Sequence, residues 1–159
     1  MKGWDTFATL AGGAAATMTG LLFVAVSIRV DRIKESMGLR NRAGQTLILF
    51  GTVLVASILV AIPAQADWLL GIELIILAAL TGTALYVLDR RARTEQSDQP
   101  FAQLIEAVSP NLVTLLLMLA AGITLIFGVN AGLYVLIAPV LTALIGGVTS
   151  AWLFLTRDY

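Results

Sequence analysis

One ionisable side chain falls well inside a long apolar stretch: Glu73, five residues past Trp68 in DWLLGIELIILAALTG. At the rise of an α-helix, five residues put it about 7.5 Å below Trp68, close enough to the membrane boundary to reach water or a polar partner. A carboxylate at the bilayer centre costs roughly 2.5 to 3.5 kcal/mol on insertion scales, and less at this depth. At about 100° per residue, Gly82 points opposite to Glu73 and Ala78 lies about 140° away. If that small face packs inward, Glu73 faces a subunit interface, a hydrated path for an ion or solute, or lipid. Lipid is the least favourable of the three.

Little other chemistry is open to this chain. It contains no cysteine and no histidine, which removes disulfides, thiol chemistry, the usual nitrogen and sulfur zinc sites, histidine-ligated haem and histidine general bases. The remaining Asp and Arg residues suggest no paired acid and base. No enzyme activity, cofactor or metal site is expected. Ten basic and ten acidic residues cancel to a formal charge of zero, so nothing resembles the basic field that recruits nucleic acid.

The elements that must hold Glu73 follow from composition. Of 159 residues, 58% are hydrophobic and 13% charged, and the mean hydropathy is +0.91; a soluble domain of this size has no interior large enough for so much apolar surface. The bilayer is part of its solvent. Five stretches have the length to cross it: Phe7 to Ile28, Thr46 to Ala64, Trp68 to Leu88, Asn111 to Val129, and Leu133 to Leu155. The last two are nearly continuous, but together they are too long for one crossing, and Gly128, Asn130 and Gly132 supply a tight hairpin. The expectation is an all-α, integral membrane five-helix bundle formed by residues 1–159 as a single transmembrane domain. The first segment is expected as a retained helix and not a cleaved signal, because its strongest apolar run follows the Ala14–Ala16 triplet.

Charge gives the orientation. Arg29, Arg32, Lys34, Arg40 and Arg42 lie between the first two helices, Arg90, Arg91 and Arg93 follow the third, and Arg157 follows the fifth. Lys2 alone is on the other side, so the positive-inside rule puts the N-terminus outside and the C-terminus in the cytoplasm of a cell inner membrane. Trp4, Trp68 and Tyr134 then mark the outer boundary, and Tyr86 and Trp152 the inner one. Val30, Ile33 and Met37 continue a helical spacing past helix one, which is expected to extend into the cytoplasm until Gly38 ends it. Pro100 followed by Phe101, Leu104, Ile105 and Val108 on one face predicts a short interfacial helix near 100–108. The basic residues hold the helices in place, and Arg40, Arg42, Arg90, Arg91 and Arg93 are also candidates for lipid headgroup contacts.

Small residues recur at helical spacing in two helices. Gly12, Ala16 and Gly20 form one ladder, with Gly13 and Thr17 beside it; Ala138, Thr142, Gly146 and Ser150 form another, with Ala143 and Gly147 alongside. Such ladders let backbones approach where no hydrophobic effect drives association. Helices one and five are therefore expected as the main packing elements, within one subunit or between copies. Pro139 leaves the carbonyl near Val135 without its helical donor and marks either a fixed kink or a hinge.

The segment GGAAATMTGLLFVAVSI, residues 12 to 28, followed by a basic loop, resembles a group of small uncharacterised bacterial polytopic membrane proteins with a GLLFVA-type first helix. That resemblance implies a multi-pass membrane fold and transfers no activity or functional residue. Spare small-residue tracks, Glu73 and the kinked fifth helix point to a small oligomeric membrane channel or transport subunit. The alternative is a non-catalytic structural or regulatory accessory subunit bound to unlike membrane subunits. Membrane lipid is the other expected partner. The topology is checked with single cysteines, since the chain has none of its own. Cysteines at Ala66 and Asn130 should react with an impermeant reagent from outside, and those at Ser36 and Ser97 should not. Outside labelling at position 97 would overturn the five-crossing arrangement.

Overall fold

The computed structural model describes residues 3–28, 30, 37–93, 110–128 and 132–156. Among them there are five helices and no strand: α1 Trp4–Ile28, α2 Met37–Val60, α3 Asp67–Arg93, α4 Pro110–Ile126 and α5 Gly132–Thr156. In hydrocarbon, a helix is the one open-ended segment that satisfies its own backbone groups. α1, α2, α3 and α5 are long and apolar enough to cross a membrane. α4 has 17 residues, about 25 Å of helical rise, and is the short one. The helix expected near 100–108 lies outside the described residues.

Several boundaries move for identifiable reasons. α2 begins at Met37, well before Thr46, because Leu39, Arg40, Arg42 and Ala43 are good helix formers that hydropathy passes over. Gly38 therefore sits in the first turn of α2 and is not a helix end; the extension of α1 expected through Ile33 falls outside the described residues. α2 ends at Val60, where Pro63 follows and Ala64 adopts a left-handed φ of 57°. The Ala66 carbonyl accepts from the amides of Leu69 and Leu70 at the start of α3. α4 closes at Gly128, whose φ of +68° suits glycine and whose amide bonds the Leu125 carbonyl. The expected hairpin is thus two helices.

Contacts fix the directions. Thr52 meets Thr81 and Gly44 meets Leu88, so α2 and α3 are antiparallel. Gly71 meets Gly122 while Gly82 meets Leu115, which makes α3 and α4 antiparallel as well. α2 to α5 form a ring of four in which each lies beside the next and α2 closes on α5. α1 lies outside the ring, along α2, with a slighter contact to α5. Leu49, Val53, Leu70, Leu74, Met118 and Leu136 fill the centre.

The closest helix approaches are made at glycines. A Cβ at Gly71 would stand 2.7 Å from the Gly122 carbonyl oxygen, and one at Gly122 would stand 2.8 Å from that of Gly71. Each backbone fills the place of the other's missing side chain, an arrangement that also suits weak Cα–H···O contacts. At Gly147 the Phe50 ring occupies the space, with Cε1 at 2.3 Å from an added Cβ, and at Gly132 the Leu125 side chain does so at 2.8 Å. α1 and α5 pack mainly on other helices, α1 on α2 and α5 on α4 and α2, and meet each other at their first turns, where Trp4 stacks edge-on against Tyr134 at 5.2 Å. A ladder is an efficient device for two helices running alongside for many turns, whereas a single crossing needs one gap.

Gly122→Ala and Gly147→Ala should each lower stability by roughly 1 to 3 kcal/mol, because backbone or a fully buried ring must shift. Gly51→Ala, where an added Cβ meets nothing within 4 Å, should be neutral or gain up to about 1 kcal/mol in helix propensity. Denaturant unfolding in mild detergent checks this; equal stability of all three variants would remove the close crossings.

Candidate functional site

Glu73 leaves α3 on the side that also carries Thr81 and Leu88 toward α2, while Gly71, Ile75 and Gly82 face α4. It is half-buried at the end of the bundle formed by the turn between α2 and α3. That turn bends at Pro63 and Ala64 and brings Gln65 back over α3, where its Nε2 donates to the Glu73 carboxylate. The Oε1 of Gln65 is buried without a hydrogen-bond partner. The carboxylate thus has a polar partner within its own chain, eight residues away. Gln65 was not visible as a partner from sequence; the signal was an amide set between Pro63 and Asp67 in an otherwise apolar turn.

Among the described residues the buried hydroxyls of the ring helices are mostly bonded within the chain. Thr46, Thr52, Ser57, Thr81 and Thr114 are buried, and Thr46, Thr52 and Ser57 donate to the carbonyl four residues earlier in their own helix. Thr17 and Thr142 do the same on the outside. A hydroxyl so bonded has no proton left for an anion, while its oxygen lone pairs remain available. Thr52 and Thr81 also bond each other at 2.8 Å, a polar link between α2 and α3. Next to them lies a cavity of about 10 Å³ lined by Thr52, Thr114, Met118, Leu136 and Pro139, among others. It has room for one water at most. Pro139 is fully buried in that wall, so the turn that lacks its hydrogen bond faces the interior.

The ladder residues divide. Gly12 packs on α2, where an added Cβ would stand 3.2 Å from Ser57 Cβ. Ala16 and Gly20 are exposed, and an added Cβ at Gly13 or Gly20 meets nothing within 4 Å. Thr142 and Gly146 are half-buried on α5; the side chain of Ser150 lies outside the described residues. Arg40, Arg42 and Arg90 are exposed at one end of the bundle, and Asp5, Asp67 and Glu73 lie at or toward the other. The side chains of Arg91 and Arg93 are outside the described residues. Among the described residues no group of three His, Cys, Asp or Glu could hold a metal ion.

No family model, curated protein or solved structure matches this chain.

The Gln65 to Glu73 bond ties the turn to α3. In a double-mutant cycle with Gln65→Ala and Glu73→Ala, the coupling should be about 1 kcal/mol or more, as for a hydrogen bond to a charged group. Additive losses would show that the turn is held by Pro63 and Ala64 alone.

Proposed function

We propose that this protein is a subunit of a homo-oligomeric membrane assembly, a small channel or transport subunit, in which any conducting path runs between copies. The observation that carries this reading is the open small face of α1. Thr9, Gly13, Ala16 and Gly20 recur every three or four residues on the exposed side of that helix, before Phe23 and Val24 end the small run, and Thr9 has already bonded its own backbone. A face this smooth and this short of side-chain contacts is poorly used against fluid acyl chains and well used against another helix. The filled centre of the ring, with Phe50, Leu70, Leu74 and Leu136 fully buried, favours a path at a seam over one through a single chain.

In this reading the helices cross a bacterial inner membrane five times, with the N-terminus outside and α4 as the shortest crossing. A span a few ångströms short is accommodated by modest bilayer thinning. Glu73 then lies near the outer leaflet, and the arginine-bearing end meets the cytoplasm.

The test is Gly20→Leu in nanodiscs. Since an added side chain at Gly20 meets nothing within the chain, the fold and its unfolding midpoint should be retained while the oligomer dissociates or changes size. Gly13→Leu should behave alike, and Glu73→Gln should leave assembly intact while altering cation flux in liposomes. A parent protein that is monomeric in nanodiscs, or that is recovered only with unlike subunits, would transfer the α1 face to an accessory role.

A further inference from the structure

Two exposed stripes of this bundle end in arginine at the same level. On α2 the exposed column runs Ile58, Val55, Gly51, Leu47 and Arg40; on α3 it runs Ile76, Leu80, Thr83, Val87 and Arg90. α1 and α5 take the other sides of α2, and α4 and the core take the other side of α3. Both columns therefore border the outer seam between α2 and α3. That seam is held in register by the Thr52 to Thr81 bond and by Leu88 lying against Gly44. Arg40 precedes Gly44 by four residues and Arg90 follows Leu88 by two, so they stand roughly 6 Å and 3 Å beyond that contact by helical rise. Residues fifty apart in the chain thus deliver two guanidinium groups to one depth, above one apolar surface.

We infer that the outer α2/α3 seam is a binding surface for an anionic phospholipid, with its phosphate at the level of Arg40 and Arg90 and its acyl chains along Leu47, Val55, Leu80 and Val87. Each guanidinium is a planar fork of five N–H donors, enough to bond phosphate oxygens beside the interaction that each residue already makes within the chain. Tyr86, 63% exposed one turn before Arg90, has the amphipathic ring that settles at headgroup depth. Continuity with the apolar columns commits the surface to a lipid, because a free anion gains nothing from Leu80 or Val87. The opposite end of the bundle carries Asp5, Asp67 and Glu73, so an anionic headgroup is repelled there. Selectivity is thus confined to one leaflet. Arg42 is the internal comparison: it is exposed at the same end of the same helix, but two residues place it about 200° round from Arg40, off the seam.

The experiment is lipid retention by native mass spectrometry, paired with thermal unfolding, on the full chain with phosphatidylglycerol, phosphatidylcholine or inorganic phosphate. Parent protein should retain phosphatidylglycerol over phosphatidylcholine and unfold later with it. Arg40→Gln and Arg90→Gln should each weaken that preference about fivefold, as removal of one basic residue from an anionic surface does, and the pair together about twenty-five-fold. Arg42→Gln should weaken it less than twofold. Circular dichroism of the exposed-site variants verifies that the helices are intact. The inference is overturned by equal retention of both lipids, by an Arg42→Gln loss as large as that of Arg40→Gln, or by stabilisation with inorganic phosphate that matches phosphatidylglycerol.

Discussion

Backbone meets backbone where α3 crosses α4, and the rest of the ring is arranged around that crossing. In water, helices are pressed together by the surface they hide; in a bilayer, lipid tails are as apolar as leucine, and association has to come from close packing. Gly71 and Gly122 provide it by removing two side chains at one point, so that each carbonyl lies about where the other's Cβ would be. Once α3 and α4 are fixed there, Leu125 of α4 seats against Gly132 of α5, and Gly147 of α5 receives Phe50 of α2. Thr52 then closes the circuit by bonding Thr81 of α3. α1 is joined to this ring along one flank only, which is why its far side is open to another molecule.

How much of this the sequence discloses depends on how each feature is encoded. The number of helices and the hairpin at Gly128 are carried by long apolar runs and turn residues, which are local signals. Gly12 was legible as a contact because a ladder surrounds it. Gly71 and Gly122 were not, since each is a lone glycine within an apolar run, and its meaning depends on a partner in another helix. A lone glycine inside a helical pattern still costs about 1 kcal/mol relative to alanine, and that cost is itself a hint of packing. The same limit explains Gly20, whose spacing is that of a contact residue although it touches nothing in its own chain. Periodicity identifies a face and is silent about what covers it.

Glu73 shows the converse case. Helical geometry separates its direction from Gly82 by half a turn, and the structure has Gly82 facing Leu115 of α4 and Glu73 on the α2 side. Direction was therefore legible, while the partner was not. The turn returns Gln65 to α3 only because Ala64 adopts a left-handed φ of 57° after Pro63, a backbone detail that no side-chain pattern announces. The pair leaves Gln65 Oε1 buried without a partner, a desolvation cost that an apolar residue at position 65 would avoid. The bond therefore fixes where the carboxylate stands at the end of the bundle.

Charge completes the logic, because the antiparallel order of the helices collects like charges at like ends. α1 and α3 begin with Asp5 and Asp67 in their first turns, where the helix dipole favours acids. α3 approaches its other end through Asp89 and Arg90, beside the start of α2 with Arg40 and Arg42. A formal net charge of zero thus conceals a molecule that is acidic toward one end and basic at the other. In a bilayer this polarity acts twice. On the proposed topology it favours retention of the basic end in the cytoplasm during insertion, and the same arginines would then face the leaflet whose surface potential is negative. In the proposed orientation one charge distribution would serve both insertion and lipid selectivity, because the α2/α3 register sets Arg40 and Arg90 at one level along that seam.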